Sequence, residues 1–149
     1  MENRWRNDIT EVGYKYQMTD VSASMGLEAM KQLPQTLGRY RELFDTYRDG
    51  LAGIPGITFI GDDQDHRSSC WLATVMIDDR DGLKWKLAEN DIESNQVHYR
   101  NDIYSIFGGR IDTCPNMDAV ESKYLVLPQH LGMTVEDVNR VLKVIKSGW

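Results

Sequence analysis

The chain has 149 residues, enough for one ordinary domain with a real core, and its 41% hydrophobic and 27% charged residues are globular proportions. Twenty-three acidic against 17 basic side chains leave a formal charge of -6, which argues against a general nucleic-acid binder, because such proteins cluster cations against phosphate. No apolar run approaches the roughly 18 residues of a membrane span, and Met1-Glu2-Asn3-Arg4-Trp5-Arg6 is unlike a secretory signal, so the expectation is a cytoplasmic protein without membrane or nucleic-acid partners.

Residues 1–12 hold Trp5 and Ile9 among charges and amides with no clear period, and read as an arm that needs something else to pack on. Gly13 then opens a turn that presents Tyr14, Lys15, Tyr16 and Gln17 together, and Thr19 and Asp20 both suit the cap of a following helix. From Asp20 to Leu51 the pattern is helical. Leu33, Leu37, Tyr40, Phe44, Tyr47 and Leu51 recur at spacings of 4, 3, 4, 3 and 4, which is one continuous stripe. Pro34 lies inside it, so the helix is expected to kink or to split near 32–35. Gly50, Gly53, Pro55 and Gly56 stop the helix and turn the chain.

A short strand is expected at 57–60, a polar loop at 61–69, and the strongest strand at 70–77, where β-branched and aromatic residues are bounded by turn signals. Residues 83–90 read as a brief helix, 96–99 as a third strand, and 100–115 as a loop with apolar anchors at Tyr104, Ile106 and Phe107. A short helix over 116–123 and a fourth strand over 124–127 follow. Thr134 and Asp137 have a capping-box spacing before a last helix buried through Val138, Val141, Leu142 and Ile145. The sum is an α+β layer: a small, mainly antiparallel sheet with helices on one face, preceded by the long helix 20–51.

Few residues form a recognisable catalytic set. Cys70 and Cys114 have neither disulfide-framework nor zinc spacing, and His66, His98 and His130 lack ligand-spaced partners, so no metal is expected. The pairs Asp62-Asp63 and Asp78-Asp79 read as turn residues. Of the seven lysines, only Lys15 sits in a candidate ligand loop. Gln96-Val97-His98-Tyr99-Arg100-Asn101 gathers hydrogen-bonding side chains just after a strand, where loops commonly build sites.

The run Gly13-Tyr14-Lys15-Tyr16-Gln17-Met18-Thr19-Asp20-Val21-Ser22-Ala23-Ser24-Met25-Gly26 resembles the segment G-[YF]-N-Y-R-[ML]-[ST]-[DE]-[LI]-x-A-A-[IL]-G of the DegT/DnrJ/EryC1/StrS sugar aminotransferases. Pro55-Gly56-Ile57, Asp91-Ile92-Glu93, His98-Tyr99 and Tyr124 to Pro128 match in order as well. The resemblance implies the C-terminal small domain of a fold-type I aminotransferase, with 1–19 as arm and ligand loop and 20–149 as the small domain with its linking helix. It implies pyridoxal phosphate (PLP) as cofactor, a keto-sugar nucleotide and glutamate as substrates, and a homodimer.

Family members carry their Schiff-base lysine on a large upstream domain, so the resemblance assigns this chain no catalytic residue and implies inactivity alone. Lys15 and Gln17 stand where the family has the Asn and Arg that reach toward the partner subunit's cofactor phosphate. A lysine ammonium and a glutamine amide keep anion binding but lose the planar guanidinium grip. Tyr16, His98, Tyr99, Arg100 and Asn101 are the substrate-binding residues the resemblance implies, although Asn101 replaces a common proline. Two other readings stay open: a stand-alone nucleotide-sugar-binding module, and a complementing subunit of a split enzyme.

Overall fold

The computed structural model describes residues 13–61, 68–110 and 113–149. The expected arm with Trp5, together with Asp62, Asp63 and His66, lies outside the described residues. Two compact units are present, one whose described part is 13–33 and one of Pro34–Trp149.

Helix α1 is Asp20–Leu51, 32 residues long, and it runs unbroken through Pro34. The proline deprives the Met30 carbonyl of its helical donor, but Met30 and Leu33 are exposed, so solvent can replace that partner. The apolar stripe is buried only in its second half, where Leu43, Phe44, Tyr47 and Leu51 face the core of the second unit. In the first half, Val21, Met25, Leu27 and Met30 are exposed.

Strands β1 (Ile57–Phe59), β2 (Ala73–Ile77) and β3 (Tyr124–Leu127) form an antiparallel sheet in the order β1-β2-β3. Val75 pairs with Phe59 on one side and Leu125 on the other, which fixes the register. Alternation along β2 sends Ala73, Val75 and Ile77 into the core. There they meet α2 (Arg80–Ala88) through Leu83 and Leu87, and α4 (Val135–Lys146) through Val138, Val141, Leu142 and Ile145. A short helix α3 (Pro115–Val120) precedes β3. The helices thus share one face of the sheet, as the sequence implies.

Thr134 caps α4: its Oγ1 accepts from the Asp137 amide at 3.2 Å, while the Asp137 carboxylate accepts from the Thr134 amide at 2.8 Å. Aspartate therefore closes the capping box in place of the usual longer acid. Tyr47, fully buried, donates its hydroxyl to the Pro128 carbonyl at 2.8 Å and ties α1 to the end of β3. Burial, with Asp137 adding repulsion, pushes that phenol well above its ordinary value.

One expected strand is not formed. Residues 96–99 pair with nothing; the sheet is extended only by an isolated antiparallel bridge between Asn95 and Val126. The physical reason is that the chain leaves the sheet edge at once, with Val97, His98 and Tyr99 exposed. Residues 101–103 and 105–107 form two short 3-10 turns instead of an irregular loop.

Candidate functional site

The first unit presents the loop that precedes α1. Residues 13–19 are exposed, Tyr16 to 86%, and the Tyr14 and Tyr16 rings lie 5.6 Å apart. Thr19 fixes the loop to the helix, its Oγ1 accepting from the Ser22 amide at 3.2 Å while its carbonyl accepts from the Ala23 amide at 2.9 Å. Among the described residues, neither Lys15 nor Gln17 has a hydrogen-bond or ion-pair partner, so both remain available to an anion.

The second unit presents residues 96–110. His98, Tyr99 and Asn101 are exposed, and the His98 ring lies 6.0 Å from that of Trp71, itself 61% exposed. The sequence pattern implies a strand over 70–77 with Trp71 inside it. β2 begins two residues later, at Ala73, and leaves Trp71 on the surface beside His98. The tip of the segment is apolar and open to solvent, with Ile106 at 83% and Phe107 at 65% exposure.

Arg100 faces inward, unlike its exposed neighbours. Its side chain is 1% exposed, and four of its five N–H groups are directed at carboxylates. Asp102 takes the bidentate pair at 2.6 Å each, Asp118 takes a third bond, and Glu121 a fourth at 3.1 Å. Arg110 adds a second cation to the same acids, at 2.8 Å from Asp118 and 3.1 Å from Glu121. Arg100, with help from Arg110, holds the Asp118 carboxyl below the usual carboxylate range. The Arg80 guanidinium and the Gln96 amide both donate to the Glu121 carbonyl, at 3.1 and 2.9 Å. Asp118 and Glu121 are 18 and 21 residues from Arg100 in sequence, so no short motif announces them.

The lysines are all surface groups. Lys86 is half-buried and the other six are exposed; Lys31 pairs with Glu28 and Lys123 with Asp78. His130 is exposed, with Nδ1 accepting from the Gly132 amide at 3.2 Å. Among the described residues no cluster of His, Cys, Asp or Glu could hold a metal ion, and no helix is long and apolar enough to cross a membrane.

The sequence profile of the DegT/DnrJ/EryC1/StrS aminotransferase family matches residues 1–146. The UDP-4-amino-4-deoxy-L-arabinose--oxoglutarate aminotransferase of Shewanella sediminis is 29% identical over 94% of this chain and 40% of its own length. Among solved structures, AtS13 from Actinomadura melliaura superposes with a TM-score of 0.85 at 30% identity, over 95% of this chain and 38% of that one. Spr1654 from Streptococcus pneumoniae, solved in its PLP form, gives 0.80 at 26% identity, over 96% and 38%. The chain thus spans about 40% of the length of the relatives it matches. With the small antiparallel sheet and its one-sided helices matching part of those fold-type I structures, this chain belongs to the DegT/DnrJ/EryC1/StrS aminotransferase family.

Proposed function

We propose that this chain is the C-terminal part of a PLP-dependent aminotransferase that moves an amino group from glutamate to a keto-sugar nucleotide in the cytoplasm. The observation that carries the reading is the family match across 1–146, which includes both presenting loops. When bound, PLP supplies the electron sink for amino transfer. The residues here fit its phosphate: Lys15 brings a point charge and Gln17 an amide, both exposed and unpaired among the described residues. His98, Tyr99 and Asn101 offer ring faces and hydrogen-bonding groups to the sugar nucleotide, with Tyr16 alongside Lys15 in the first loop. Arg100 serves the same subsite from behind, because its donors are already engaged.

No lysine here carries the reaction in this reading, and the chain is inactive alone. The exposed surfaces of all but half-buried Lys86 support this, since an imine-forming lysine needs desolvation or a neighbouring cation to be nucleophilic near neutral pH. A homodimer in which the Lys15 loop serves the partner subunit is supported by the exposed Val21, Met25, Leu27 and Met30 on α1.

The test is glutamate-dependent amination of a panel of keto-sugar nucleotides. It compares this chain with the longest in-frame product encoded around its Met1 codon. Turnover by the longer product alone is expected. Turnover by the 149-residue chain by itself contradicts the reading, as does a longer product that binds PLP yet aminates none of the panel.

A further inference from the structure

Between Gln96 and Arg110 the segment buries no apolar side chain, and neither 3-10 turn contains a buried residue. Apolar burial therefore does not set its shape. The one buried group there is Arg100, and burying a guanidinium is unfavourable unless its donors are met. They are met by Asp102 inside the segment and by Asp118 and Glu121 on and just after α3. Arg110 returns to the same two α3 acids, so both ends of the exposed tip are fastened to one short helix. That helix is itself held, because Arg80 and Gln96 both donate to the carbonyl of Glu121.

We propose that Arg100 is a positioning residue: with Arg110 it staples residues 98–110 to Asp118 and Glu121, and so fixes where His98, Tyr99 and Asn101 are presented. A planar fork suits this task because it meets Asp102 through two parallel bonds and still reaches α3. Lysine would offer one compact charge and no fixed direction. Asp118 and Glu121 share the two arginines, so removing one cation leaves two neighbouring acids on a single guanidinium as well as a loop without its anchor. The loop's value to substrate binding rests on the function proposed above, whereas its order can be read without any ligand.

Water-exchange NMR on the ligand-free chain provides the test, using the amides of Tyr104, Phe107 and Gly108, which are bonded within the 3-10 turns. In Arg100→Gln these amides are expected to exchange about tenfold faster or more, the order expected for losing charge-assisted hydrogen bonds. The contact between the His98 and Trp71 rings should be lost from the spectrum, while the amides of β2 and α4 keep their protection. Arg100→Lys should restore order only part-way. Arg110→Gln, which removes the half-exposed outer cation, should loosen the same amides by a smaller factor. Unchanged exchange in both glutamine variants overturns the proposal, as does a lysine variant no different from glutamine. A uniform rise across the β2 and α4 amides also overturns it, since Arg100 would then hold the whole domain together instead of this loop.

Discussion

Replacing Tyr47 by Phe removes one oxygen atom from the middle of the core and changes little else. The hydroxyl donates to the Pro128 carbonyl at 2.8 Å, and the tyrosine side chain is fully buried. A buried hydrogen bond contributes about 1 kcal/mol net, and leaving its acceptor without a donor raises the loss toward about 1–3 kcal/mol. Because Pro128 is only half-buried, water can reach part of that carbonyl, which favours the lower half of the range. The expected destabilisation is about 1.5 kcal/mol. With a urea dependence of roughly 1.5–3 kcal/mol/M, the midpoint should fall by about 0.5–1 M. The assay is urea unfolding of wild type and variant followed by far-UV circular dichroism, with the slope unchanged. An unchanged or raised midpoint would refute the idea that this bond ties α1 to the end of β3.

Further outcomes follow from other contacts. Gly50→Ala places a methyl 2.3 Å from Leu142 Cδ1 and 2.9 Å from Cδ2, so the buried Leu142 side chain must leave its present position, and overpacking of about 1–3 kcal/mol should outweigh the ordinary helical gain. Gly38→Ala, whose methyl meets nothing within 4 Å, should instead stabilise the same helix by about 0.5–1 kcal/mol, and equal effects at the two sites in thermal unfolding would contradict this packing. The Asp137 carboxyl is held below its ordinary value, first by the Thr134 amide and then by the Thr134 hydroxyl. Its contribution is therefore present above the unfolded pKa and lost as pH falls through the lower folded one. Asp137→Asn should be less stable than wild type near neutrality, with the gap closing below the usual carboxylate range; a gap that widens in acid would reverse the sign. If the longest in-frame product binds PLP as proposed, Lys15→Ala in it should weaken PLP retention, measured by dialysis and absorbance, and unchanged retention would remove Lys15 from the proposed phosphate contact.

How far the sequence could be read depended on whether a signal was local. Thr134 and Asp137 are three residues apart, and their capping box forms as the spacing implies. The strand signal around Val75 is also local, because β-branched alternation alone sets which side chains face the helices. The α1 stripe is only half a guide. Periodicity shows which residues share a face, but what covers that face ends near Leu43, leaving Leu33 exposed. The expected strand at 96–99 has residues suited to pairing but no neighbour beyond Asn95 to pair with.

Arg100 shows the same division at the candidate site. Next to His98, Tyr99 and Asn101 it reads as one more exposed polar group, and only the arrival of Asp118 and Glu121 from α3 turns it inward. Trp71 gave a misleading local signal for the opposite reason: its aromatic ring reads as strand core, yet β2 starts at Ala73 and the ring stays beside His98.

Borohydride reduction of the chain after incubation with PLP, followed by peptide mapping, tests the central claim most directly. The account predicts no stoichiometric adduct on any of the seven lysines, because under the proposed function this chain would hold the cofactor phosphate and the sugar without supplying the amine. One adduct per chain on a single lysine, Lys15 above all, would contradict it.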